Sequence, residues 1–146
     1  MEPLEQIATR AEHAGGVIPV RMKLSALWAS AMFCYIYGDY FWLYYPGKLQ
    51  DMLAGNMPPF GPVTEGVLLG TTIAMTIPAL MIFLSLVLRH GPNRWANIIL
   101  GVLYSLFVAA TMPGTAAFYL FLGTVDILLT ATIVWYAWRW RKAAAA

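Results

Sequence analysis

The sequence predicts an all-α integral membrane protein, an antiparallel four-helix bundle with both termini in the cytoplasm. Three observations carry this expectation. Hydrophobic residues make up 60% of the 146 residues and charged residues only 11%, where a soluble domain carries about 25% charged residues. The apolar residues gather into four continuous stretches, each near the roughly twenty residues that a helix needs to cross a hydrocarbon core about 30 Å thick. Lysine and arginine fall almost wholly on one side of those stretches. The length allows one domain.

Residues 1–22 read as a cytoplasmic N-terminal segment. Its acids, Glu2 and Glu5, and the long apolar run after Arg21 and Lys23 do not suit a cleaved signal peptide. Pro3–Ala14 suits a short surface helix or a polar tail before Gly15-Gly16. Residues 23–142 form the four-helix domain, with helices expected at about 24–45, 66–88, 93–111 and 115–138. The runs are continuous rather than alternating, which argues against a transmembrane barrel. In the first loop, Lys48–Ala54 suits a short interfacial helix, followed by the breaker-rich Asn56–Pro62. His90-Gly91-Pro92-Asn93 offers a glycine for a helix C-terminus and a proline for a first helical turn, hence a tight hairpin. Met112-Pro113-Gly114-Thr115 does the same between the last two helices, with Thr115 as N-cap. Residues 143–146 are an alanine tail.

Orientation follows from the basic residues. With the N-terminus inside, Arg10, Arg21, Lys23, Arg89, Arg94, Arg139, Arg141 and Lys142 lie inside and Lys48 alone lies outside. Tyr40, Phe41, Trp42, Tyr44 and Tyr45 mark the outer interface, and Trp28, Trp95, Trp135, Trp138 and Trp140 the inner one. The expected location is the cell inner (plasma) membrane, with several spans.

Polar groups within the spans are the informative ones, because each is costly there. Asp126 falls about 16 Å into the fourth helix at 1.5 Å per residue, near mid-membrane. An aspartate at that depth costs roughly 2.5–3.5 kcal/mol on insertion scales. It shares a helix face with Tyr119, Gly123 and Thr130. It serves either a functional site or a hydrogen bond to a neighbouring helix. Asp39, one turn beyond Tyr35 on the first helix, differs in depth from Asp126 by about one turn. The two acids are expected to face each other across a cavity open to the outside, where they would hold a cation or pass a proton. Glu65 begins the second helix, where a carboxylate also favours the positive end of the helix dipole.

Two stripes of small residues read as helix contacts. Gly66, Gly70, Ala74 and Pro78 form one, and Asn97, Gly101, Ser105 and Ala109 the other. Pro78 should kink its helix and free the carbonyl of Ala74. Arg94 and Asn97 are candidates for lipid headgroups, beside plain interface anchoring. Other chemistries lack their residues. His13 and His90 sit at membrane edges with no metal or haem cluster, so no metal and no cofactor are expected. The net charge of +2 and the absence of a basic groove exclude nucleic acid. Cys34, the single cysteine, forms no internal disulfide and reads as a packing residue.

Lys23-Leu24-Ser25-Ala26-Leu27-Trp28, Tyr35-Ile36-Tyr37-Gly38-Asp39, Thr64-Glu65-Gly66-Val67-Leu68-Leu69-Gly70 and Asn93-Arg94-Trp95-Ala96-Asn97 resemble a bacterial family of small four-helix membrane proteins, a domain of unknown function. The resemblance spans roughly Lys23 to Lys142; it implies the topology and no substrate. More loosely, four helices with buried acids resemble the DoxX-like membrane proteins and the emopamil-binding group, whose paired acids serve sterol isomerisation or ligand binding. Neither group's motifs match closely, and no catalytic residue carries over.

These readings leave three functions. The first is a membrane binding or transport protein for a small cationic or lipophilic ligand, with Asp39 and Asp126 in an outward-facing pocket. The second is a lipid-modifying, isomerase-like enzyme using the same acids. The third is an accessory subunit of a larger membrane complex. Membrane lipids and either a homo-oligomer or a larger membrane assembly are the expected partners.

Overall fold

The computed structural model describes residues 18–58 and 60–140. The segment read as a surface helix or polar tail, His13 and the alanine tail lie outside the described residues. Four long helices dominate: α1 (Val20–Trp42), α3 (Glu65–Val87), α4 (His90–Thr111) and α5 (Ala117–Arg139). Between α1 and α3 stand the short helix α2 (Lys48–Leu53) and two strands, β1 (Asn56–Met57) and β2 (Gly61–Pro62), paired antiparallel. Apart from that small hairpin, the described fold is helical, as the sequence predicts. Three helices, α3, α4 and α5, are long and apolar enough to cross a membrane. α1 is as long but less apolar, because it contains Arg21, Lys23, Asp39 and a run of Tyr and Trp residues.

The ends of the helices follow local chemistry, with corrections. α1 begins at Val20 after Pro19, one turn earlier than expected, and Tyr44 and Tyr45 lie beyond its end. α3 is capped by Thr64, whose Oγ1 accepts from the Val67 amide at 3.2 Å. Glu65 sits in the first turn, where its charge favours the dipole. The α3–α4 hairpin is tighter than the sequence suggests. Leu88 and Arg89 are extended and α4 starts at His90, so Gly91 lies inside the first turn beside Pro92 instead of ending α3. Thr115 is not the N-cap of α5. Its hydroxyl donates to the Met112 carbonyl at 2.7 Å, and Ala116 precedes the helix. Gly114 turns the chain there with φ of 75°, a conformation that costs glycine little.

The long helices are arranged α3–α1–α5–α4. α1 packs against both α3 and α5, and α4 packs against α5, while α3 and α4 touch lightly. The close α4–α5 approach depends on Gly101, where an added Cβ would lie 2.7 Å from Val134 Cγ2 and 3.3 Å from the Thr130 carbonyl oxygen. The core gathers at the end where α1 and α4 begin. It is built from Leu24, Trp28, Met81, Ile98, Tyr104, Ile133 and Ala137. The stripe of Gly66 and Gly70 does not join it. Both glycines are exposed, and Gly70 has no atom of another element within 4 Å of an added Cβ. The Gly66/Gly70 half of the stripe thus makes no helix contact among the described residues, whereas Pro78, at its other end, is buried. α3 buries only Pro78, Met81 and Ser85, all in its second half.

Candidate functional site

Polar residues inside the helix array divide into two groups with opposite bonding. The first is a saturated knot at the core end. Trp28 Nε1 donates to Asn97 Oδ1 at 2.8 Å, and Ser85 Oγ donates to the same oxygen at 3.3 Å. Asn97 Nδ2 donates to the Asn93 carbonyl at 2.8 Å and to Asn93 Oδ1 at 2.7 Å. Asn93 Nδ2 donates to the Ser85 carbonyl at 2.7 Å. Ser85, Asn93 and Asn97 are wholly buried, and the knot ties α1, α3 and α4 together. A headgroup role for Asn97 is thereby corrected: no lipid headgroup reaches a side chain with no exposure and a filled set of bonds. Arg94 lies at the same end, and its Nε and Nη2 donate to the Ala137 and Trp138 carbonyls at 3.2 Å each. It satisfies the last carbonyls of α5, as cations do at helix C-termini.

Above the knot, Thr130 is buried and bonded, with Oγ1 2.6 Å from Ser105 Oγ and 2.9 Å from the Asp126 carbonyl. This pairing makes Thr130 a bridge between α4 and α5, and it does not line the cavity described below. Pro78 leaves the Ala74 carbonyl without its helical donor, and the Tyr104 hydroxyl donates to it. The freed carbonyl expected from the sequence thus has a partner from α4.

The second group is unsaturated. A cavity of about 70 Å³ lies in the other half of the molecule. Its polar lining comprises Cys34, Tyr35, Asp39, Thr111, Tyr119 and Asp126, with Met75, Phe107 and Leu122 among its apolar walls. A water needs roughly 10–15 Å³ of such space, so the cavity holds a few waters or a small chemical group. Asp126 is 1% exposed, and neither of its carboxylate oxygens has a hydrogen-bond partner. The Tyr35 hydroxyl is also buried without a partner. It lies near the Asp126 carboxylate without meeting hydrogen-bond geometry. Asp39 is exposed, at the cavity's rim, and the Tyr119 hydroxyl lies 3.3 Å from Thr111 Oγ1 on the same rim.

Of the residues singled out in the sequence, the structure brings Asp39, Tyr35, Tyr119 and Asp126 to one cavity. Glu65 stands apart from it, exposed at the start of α3. Cys34, read as packing, and Thr111 also line it. Cys34 precedes Tyr35 and lies one turn before Gly38 on the cavity face of α1, a helical-spacing signal present in the sequence. Among the described residues no group of His, Cys, Asp and Glu could hold a metal ion.

The chain belongs to a family of unknown function, DUF6326, whose family model matches residues 19–146. The motifs quoted above point to such a family. No curated protein and no solved structure matches the chain.

Proposed function

We propose that the chain is an integral protein of the plasma membrane, a four-helix bundle that binds a small cationic ligand in the cavity between α1, α4 and α5. An inside-out distribution supports the membrane setting. Leu69, Phe83, Ile99, Leu106, Phe121 and Leu128 are exposed, each by 59% or more, while Ser85, Asn93, Asn97, Asp126 and Thr130 are buried. In water so much exposed apolar surface would drive association; in lipid it is solvated.

The observation that carries the ligand reading is the pair of unpartnered carboxylate oxygens of Asp126 facing a cavity. A buried polar group without a partner costs about 1–3 kcal/mol, more when charged. Among the described residues only the Tyr35 hydroxyl lies near, and it makes no hydrogen bond to the carboxylate; a bound cation would repay the cost, through charge and through N–H donors to both oxygens. Tyr35, Tyr119 and Phe107 supply aromatic walls, and Asp39 at the rim favours cations on their way in. The unpartnered Asp126 oxygens call for a positively charged or donor-bearing ligand, which favours binding or transport over lipid chemistry.

The test is a thermal melt of the full chain in lipid nanodiscs with methylammonium. Ligand that binds only the folded state raises the melting temperature with concentration. The wild type should respond and Asp126→Asn should not; equal responses, or none, would remove the reading. The outward Gly66/Gly70 face favours a second reading, an accessory subunit packed against another membrane helix, which would appear as a complex retained after mild extraction.

A further inference from the structure

We infer that the ligand is a single-chain amphiphilic amine, held by its ammonium at Asp126 with its alkyl tail leaving sideways between α3 and α4. This rests on the cation reading above and adds the tail and its route.

The lining of the cavity has two unlike parts. Asp39, Thr111 and Tyr119 make a polar rim where α1 ends and α5 begins. One turn deeper along α4 than Thr111 stands Phe107, and with Met75 of α3 it forms an apolar part of the lining. Phe107 is 39% exposed although it lines the cavity, so it stands at an opening and not on a sealed wall. The seam behind it is thin: α3 and α4 touch lightly, and no residue of α3 from 65 to 77 is buried. The Ala74 carbonyl at the base of the seam is already taken by Tyr104, which leaves no free acceptor there to repel a hydrocarbon chain.

Size selects the ligand class. About 70 Å³ accommodates an ammonium and its nearest carbons, not a long lipophilic molecule. A tail must therefore lie outside the cavity, and the apolar seam is the side on which it leaves without crossing the polar rim. The buried, partnerless Asp126 carboxylate sets the head as cationic, and the N–H donors of an ammonium match its two acceptors.

The experiment uses the full chain in lipid nanodiscs and reads alkylation of Cys34, the chain's only cysteine, which lines the cavity. The probes are dodecylamine, methylammonium and dodecanol, with bound amine counted by native mass spectrometry. Dodecylamine should slow alkylation at least tenfold and remain bound one per chain. Methylammonium should require at least tenfold higher concentration, and dodecanol, with the same tail and no charge, should have no effect. Met75→Trp, which narrows the seam, should weaken dodecylamine at least tenfold more than it weakens methylammonium. If methylammonium protects as well as dodecylamine, the tail and its route are wrong while the cation site stands. Protection by dodecanol equal to that by dodecylamine would mean that the tail alone binds and would overturn the inference. If neither amine protects or stays bound, both readings fail. A Cys34 that does not react in the ligand-free protein would show the cavity closed and would overturn the lateral opening.

Discussion

Two buried polar side chains, Asn97 and Asp126, differ in what they would cost to remove. Asn97 spends its oxygen on Trp28 and Ser85 and its amide on Asn93. Asn97→Leu would strand the Trp28 N–H and an Asn93 oxygen in the core, at about 1–3 kcal/mol for each stranded group. We expect a clear fall in melting temperature in nanodiscs; an unchanged melt would mean that water reaches the knot. Among the described residues Asp126 makes no side-chain hydrogen bond that its replacement would break. Asp126→Leu should therefore leave stability unchanged or raise it by about 1–3 kcal/mol, the penalty of a buried polar group without a partner, while abolishing methylammonium binding. A destabilised Asp126→Leu would show that the carboxylate is structural. Asp126 was legible in the sequence because a lone acid amid apolar residues stands out. The knot was legible only in part. Asn97 shows as a polar residue in a helix, but a one-dimensional pattern does not show that Trp28, 69 positions away, brings the donor that neutralises it.

At the scale of the helices, spacing identifies small residues but not the side on which a neighbour stands. Gly70 and Gly101 look alike in sequence, each within a stripe of small residues four apart. In the structure Gly101 lies under Val134 and Thr130, and Gly70 has open space. Gly101→Ala must move Val134, and overpacking of this kind costs about 1–3 kcal/mol. Gly70→Ala should be neutral or stabilising by up to about 1 kcal/mol, the difference in helix propensity. Parallel thermal melts check the contrast, and a Gly70→Ala loss as large as that of Gly101→Ala would place another helix against α3. Pro78 was readable further, because the chemistry is local. A proline removes the donor for the carbonyl four residues earlier, so the sequence alone points to Ala74. Which residue would answer that carbonyl depends on the packing of α4, and it is Tyr104.

Across the whole molecule the charges are sorted by end. Arg21 donates to the Leu86 carbonyl at 2.9 Å and lies over the Trp140 ring. Lys23 lies over Tyr136, Arg94 over Trp138 and Arg139 over Trp135. The start of α1, the start of α4 and the end of α5 thus share one basic, tryptophan-rich end. At the opposite end Lys48 lies over Trp42 and 3.9 Å from Asp51, near Glu65 in sequence. A bilayer would read this polarity through the positive-inside bias, which predicts both termini in the cytoplasm and the Asp39 rim facing outward. A reporter fused after Ala146 should be active only in its cytoplasmic form. In intact cells a membrane-impermeant thiol reagent should reach Cys34 from outside, through the rim of Asp39, Thr111 and Tyr119. Replacing Gln50, Asp51 and Glu65 with arginine should oppose the bias and produce a mixed population by both measures, since added charges near the span ends shift topology. A periplasmic signal from the wild-type fusion would invert the molecule, and the cavity would then open to the cytoplasm.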